Sequence, residues 1–276
     1  MKSLERFRAK LIPVRAGKTR QNKNLEPRSD FIGTESALAA GLMCLALTIA
    51  PALGADYDTT EKSPLVELHL LVPETAMSIA PLKQKILALY RADASQAKAD
   101  AKEDKQDNPG FHPYSIDTMW RVTFENEAVV SLSGDTNADT GGAHPNQAFQ
   151  TVVWDKKANR AVPIEALFQP DQVKSALSAI ADAAGKAWTK TYTQRSGQKP
   201  GPDTDRAGNG IAADPEKLKP YALTYAKGQT AANGIVLLYG AGQIWPHVLG
   251  DFRLAVPAAV FAKYLAPQWK DVFTAG

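Results

Sequence analysis

The sequence predicts an α+β fold, with helices packed on antiparallel sheets in two small lobes. Two patterns point to it. Several short runs alternate apolar and polar side chains and are joined by hairpin-length turns, as half-buried antiparallel strands do. Two longer segments repeat apolar residues at helical spacing, and they stand between groups of strands instead of following every strand.

In residues 64–72, Val66, Leu68, Leu70 and Val72 fall on one face and Glu67 and His69 on the other, the mark of a strand. Pro81 suits a first helical turn. Leu82, Ile86, Leu89, Tyr90 and Ala97 then recur at helical spacing, with Asp93 interrupting the stripe. The Lys- and Asp-rich continuation beyond Ala97 predicts fraying into solvent before Asn108-Pro109-Gly110 ends the helix. Trp120, Val122 and Phe124 alternate with Met119, Arg121 and Thr123, and residues 128–133 return as the second arm of a hairpin. Residues 134–146 read as a polar, glycine-rich loop, 148–154 as a strand and 160–162 as its return.

Val173, Leu177, Ile180, Ala184 and Trp188 stripe a second helix over residues 171–192. Residues 195–214, rich in Gly, Pro and Asp, have little to bury and predict a mobile loop. Residues 221–226, 235–239 and 252–256 read as strands, and 258–265 as a closing helix. The organisation is an arm with an apolar segment (1–55), an N-terminal α+β lobe (56–135) and a C-terminal α+β lobe (136–276).

The first segment has the order of an export signal. Residues 1–35 hold nine Lys or Arg against four Asp or Glu. An uncharged run comes next over residues 36–55, ending in the small residues of Pro51-Ala52-Leu53-Gly54-Ala55 before the polar Asp56. The arm is long for a signal, and Glu35 abuts the apolar run. Two outcomes stay open: cleavage after Gly54 or Ala55, or retention of the run as a membrane anchor of about 20 residues. The expected location is periplasmic or secreted; with the anchor retained, it is the inner membrane with the domain outside.

The charge balance changes at that boundary. The whole chain has 32 basic and 29 acidic side chains; beyond residue 55 the balance is 23 to 25. A near-neutral domain gives no electrostatic reason to bind nucleic acid. The single cysteine, Cys44, lies in the apolar run, so the remainder has no thiol for a disulfide or a metal. No Gly-x-Gly-x-x-Gly or Walker pattern occurs, no cofactor is indicated, and Ser131 and Ser133 lack a nucleophile-elbow context. The four histidines, His69, His112, His144 and His247, have no short metal-ligand spacing. No catalytic or metal site is expected.

Two loops stand out. Gly141 and Gly142 precede Ala143-His144-Pro145-Asn146, and Trp245-Pro246-His247 lies between Gly242 and Gly250. Each sets an imidazole beside a proline, with glycines flanking. Glycine permits, and proline restricts, backbone angles that few other residues take. Gly141, Gly142, His144, Pro145, Asn146, Trp245 and His247 are therefore the candidate binding residues. They carry either a ligand surface or structural weight, and a positive φ is expected at Gly142.

The loop at Thr140-Gly141-Gly142-Ala143-His144-Pro145-Asn146, the strand to Trp154-Asp155, and Val162-Pro163-Ile164-Glu165-Ala166-Leu167-Phe168 together resemble a known extracytoplasmic domain of unknown function. That domain is shared by the anti-sigma factor RsiV and the peptidoglycan deacetylase PdaC. The later Ile244-Trp245-Pro246-His247-Val248-Leu249-Gly250 is similar to its closing segment. The resemblance implies an envelope location and an α+β fold in two parts. It also implies binding without catalysis, since the domain binds lysozyme in the anti-sigma factor and accompanies a separate catalytic domain in the deacetylase. The expected partner is thus an envelope protein, lysozyme first, or peptidoglycan. The alternative is a membrane-anchored sensor of anti-sigma type.

Mass spectrometry of the natural N-terminus distinguishes the two. A first residue of Ala55 or Asp56 is expected; a chain that keeps residues 36–54 in the membrane fraction contradicts cleavage.

Overall fold

In the computed structural model of the chain, residues 56–201, 210–225, 229–244 and 247–273 are described. The segment read as an export signal lies outside them, as do residues 202–209 of the loop expected to be mobile over 195–214. Among the described residues no helix is long and apolar enough to cross a membrane.

Six strands form the larger sheet, in the order β1 (Tyr57–Lys62), β2 (Val66–Val72), β3 (Tyr114–Glu125), β4 (Val129–Asp139), β5 (Asn146–Asp155) and β6 (Arg160–Ala161). The alternation in β2 does what its sequence dictates: Val66, Leu68, Leu70 and Val72 are buried and Glu67 is exposed. The class is α+β as expected, but the sheet is mixed, because β2 and β3 run parallel, Val66 beside Tyr114 and Leu71 beside Met119. Parallel neighbours need a crossover. It is made by the short helix α1 (Glu74–Ser78) and the long helix α2 (Ala80–Asp107).

Helix α2 does not fray at Ala97. Leu82 and Ile86 pack on Leu70, Val72, Trp120, Leu132 and Trp154, while Ala94, Ala97 and Ala101 lie over Val66, Leu68 and Tyr114. Alanine keeps the helix close to the sheet, so burial continues where large side chains run out and the helix extends to Asp107. Asp93, the polar break in the stripe, faces the sheet and accepts a hydrogen bond from Gln150 Nε2 at 2.5 Å.

The hairpin of β3 and β4 carries a bulge between Val122 and Phe124. An extra residue reverses the facing of the residues beyond it. Trp120 therefore packs toward α2, whereas Phe124 joins the core on the opposite side of the sheet. Strand β4 continues to Asp139, so the loop expected over 134–146 shrinks to residues 140–145. The lobe boundary drawn at 135/136 falls inside β4, and the larger sheet takes strands from both sides of it.

A second, antiparallel sheet has the order β7 (Tyr221–Thr224), β8 (Gly234–Tyr239) and β9 (Phe252–Pro257). Helix α3 (Val173–Ser196) buries Leu177, Ile180, Ala184 and Trp188 in one core with Leu223, Leu237, Phe252 and Leu254, and ends at Gly197 with φ +71°. The closing segment is not an α-helix. It forms short 3-10 turns at Ala258–Val260, Ala262–Tyr264 and Pro267–Val272. They dock on the turn Ile164–Leu167, where Ala266 N donates to Leu167 O at 2.9 Å and Trp269 Nε1 to Ala166 O at 2.8 Å.

Buried hydrogen bonds tie β7 to the larger sheet and to the segment just past β6. Leu223 N donates to Ser131 Oγ at 2.9 Å, and Tyr221 Oη to Val162 O at 2.7 Å. Burial pushes the Tyr221 hydroxyl well above the usual phenol range, so it acts here as a fixed donor. At the end of β8, Gly240 lies directly against the carbonyl of Gln147 near the start of β5. A Cβ at 240 would occupy the space of that oxygen. Gly240→Ala should destabilise the fold by about 1–3 kcal/mol, the usual cost of overpacking, read as a lower urea midpoint at unchanged slope. An unchanged midpoint would show that the backbones do not meet there.

Candidate functional site

The close approach at Gly240 has a consequence for the loops. Residues 140–145 lead into β5 just before Gln147, and residues 241–250 leave β8 just after Gly240. Where the two backbones touch, the loops must lie side by side. The rings of His144 and His247 accordingly stack, with centroids 5.5 Å apart and planes 18° from parallel. Both histidines are exposed, and Val248 beside them is 88% exposed.

A third histidine joins the same end of the larger sheet. His112 precedes β3, which pairs with β4 so that Ser115 faces Asp139. The ring of His112 lies against Gly141, whose Cβ position would be 3.2 Å from Nε2. His112 is followed by Pro113 and was not among the sequence candidates. The signal was present, since His112-Pro113 repeats the order of His144-Pro145. His69 lies elsewhere, on the open face of β2.

The remaining candidates divide. Gly141, Gly142 and Pro145 are exposed in the loop, and Asn146 is half-buried as the first residue of β5, opposite Ala138. Trp245 and Pro246 lie outside the described residues. The positive φ falls at Gly141 (+81°), not at Gly142 as expected from the sequence. Asp139 explains the shift: its Oδ1 accepts the Gly141 N–H at 2.9 Å, an Asx turn that places the left-handed residue immediately after Thr140.

The His247 loop is held from below. Arg195, in the last turn of α3, donates from Nη1 to the carbonyl of Leu249 at 2.7 Å and also to that of Asp251. Its guanidinium carbon lies 5.1 Å from the centre of the Phe252 ring. Gly242 and Gly250 take φ of +81° and +72°, turning the chain on either side of His247. One strand further in, Arg253 reaches Asp135 of the larger sheet at 3.2 Å and lies over the ring of Phe149 at 4.9 Å. Both loops are thus built on rigid elements, while their imidazoles remain accessible.

Exposed imidazoles that stack in pairs can lie on a flat partner group and can donate or accept hydrogen bonds near neutral pH. Among the described residues no cluster of three or more His, Cys, Asp or Glu is placed to hold a metal ion. Gly141→Val should cost about 1–3 kcal/mol, the penalty of a strained φ. Gly142→Val, in open ordinary backbone, should stay within about 0.5 kcal/mol. Thermal melts of the two variants decide between the two positions; equal losses would contradict the assigned turn.

The model of the family described as Deacetylase PdaC matches residues 59–147. A protein of the DUF3298 family from Bacteroides fragilis NCTC 9343 shares the fold. Its TM-score is 0.50 at 14% identity, over 78% of this chain and 94% of that one. A DUF3298 family protein from Pseudomonas aeruginosa PAO1 aligns with a TM-score of 0.49 at 16% identity, over 79% and 95% of the two chains. No curated protein matches the chain. The resemblance read from the His-Pro loop is therefore supported by both kinds of comparison: residues 59–147 match a PdaC-type domain, and the chain has the fold of a DUF3298 family protein.

Proposed function

We propose that this chain is an exported, non-catalytic binding module of the cell envelope. It recognises a lysozyme-like protein or a cell-wall glycan through the surface formed by His112, His144, His247 and Val248. The observation that carries this reading is the exposed stack of His144 on His247, residues 103 positions apart in sequence that the fold brings side by side. Aromatic rings held rigid at a surface lose little freedom when a partner covers them, which favours binding. The resemblance to a domain known for binding, and the export-type segment before residue 56, support the same reading.

The test uses the purified full chain and its His144→Ala/His247→Ala variant against immobilised lysozyme and against insoluble peptidoglycan. Binding to one of the two is expected, weakened at least about tenfold in the variant, a loss of about 1.4 kcal/mol. The variant should melt within about 0.5 kcal/mol of the parent, as surface changes do. Binding that survives the double substitution would contradict the assigned surface. Release of acetate or sugar fragments, abolished by His144→Ala, would contradict the non-catalytic reading.

A further inference from the structure

Strand β1, an edge of the larger sheet, is held with little help from burial. None of its six side chains is buried. Its attachment consists of the ladder to β2 and a set of ionic contacts. Lys62 pairs with Glu67 at 2.6 Å, and Lys98 of α2 with Glu61 at 2.6 Å. Asp58 accepts from His69 Nε2 at 2.8 Å. The same imidazole bonds through Nδ1 to Asp117 of β3 at 2.7 Å, so one ring on the central strand of three ties both of its neighbours.

The chemistry of that bridge is constrained. An ionised carboxylate only accepts hydrogen bonds, and a neutral imidazole has a single N–H. Two short bonds to two carboxylates therefore require the imidazolium form. The charged groups that face His69 are Asp58 from β1, Asp117 from β3, and Glu67 with its partner Lys62 one pleat along the same face. The carboxylates outnumber the lysine, which favours the cation.

We propose that His69 is a proton-operated latch on edge strand β1. Protonated, it bridges Asp58 and Asp117 and pins β1 against β2. Deprotonated, it keeps one bond, and the more exposed contact, to Asp58, is lost. With no buried side chain to hold it, β1 then opens more often and bares the edge of β2. Hydrogen bonds donated to Asp117 first and Asp58 second raise the His69 pKa above 6.5, against a smaller effect of burial. Because the folded-state pKa is raised, the latch is fully closed below pH 6.5 and is lost as pH rises through the raised value.

Amide hydrogen exchange on the full chain between pH 5.5 and 8.5, corrected for intrinsic rates, tests this. Protection of β1 should fall about two- to fivefold across that range, the size of one exposed ion pair, relative to β8. His69→Gln should abolish the pH dependence. Asp58→Asn, which keeps an acceptor but removes the charge, should reduce it and provides the test if His69→Gln does not fold. Protection of β1 that is flat with pH in the parent, or a pH response unchanged in either variant, would overturn the proposal.

Discussion

The contact between Gly240 and the carbonyl of Gln147 is the constraint on which the candidate site depends. Two sheets can pack through side chains at many angles, but backbone against backbone fixes one register. Because the contact falls at the end of β8 and the start of β5, the loops leaving those strands share one end of the domain. The stack of His144 on His247 is the visible result. The other ties between the sheets, Leu223 to Ser131 and Arg253 to Asp135, lie further along the same seam. Arg195 then holds the far side of the His247 loop, so the loop is anchored at both ends by elements that are themselves packed.

Burial and charge divide the work of holding the strands. Strands β2, β4, β5, β8 and β9 are fixed by apolar side chains on at least one face. Strand β1 has no such anchor and relies on its ladder and on His69, Lys62 and Glu61. Hydrophobic stabilisation changes little over the physiological pH range, whereas a histidine bridge does. The domain thus joins a pH-insensitive core to one edge whose attachment is tuned by protons.

Much of the fold was legible from residue patterns. The alternation of Val66, Leu68, Leu70 and Val72 marked β2, and the stripe from Leu177 to Trp188 marked α3, because burial on one face repeats with the period of the element. Three features escaped the pattern for definite reasons. Alanine is weakly apolar by composition, so the packing of Ala94, Ala97 and Ala101 on the sheet was hidden in a charged segment. Parallel pairing of β2 with β3 depends on where α2 returns the chain, which periodicity does not encode. The polar residues 134–139 read as loop, yet the strand is sustained by its position between two neighbours, with Asp135 paired to Arg253. For the site, Gly-Gly and His-Pro spelled out a stiff loop. What brought the loops together was a single glycine in β8's exit, with nothing in the local sequence to distinguish it.

The shared surface is tested most directly by a nuclear Overhauser measurement between the imidazole protons of His144 and His247 in the full chain. Rings stacked with centroids 5.5 Å apart predict cross-peaks between them, absent in a His247→Ala control. Well-resolved ring signals with no such cross-peak would show that the two loops do not meet, and the shared binding surface would have to be abandoned.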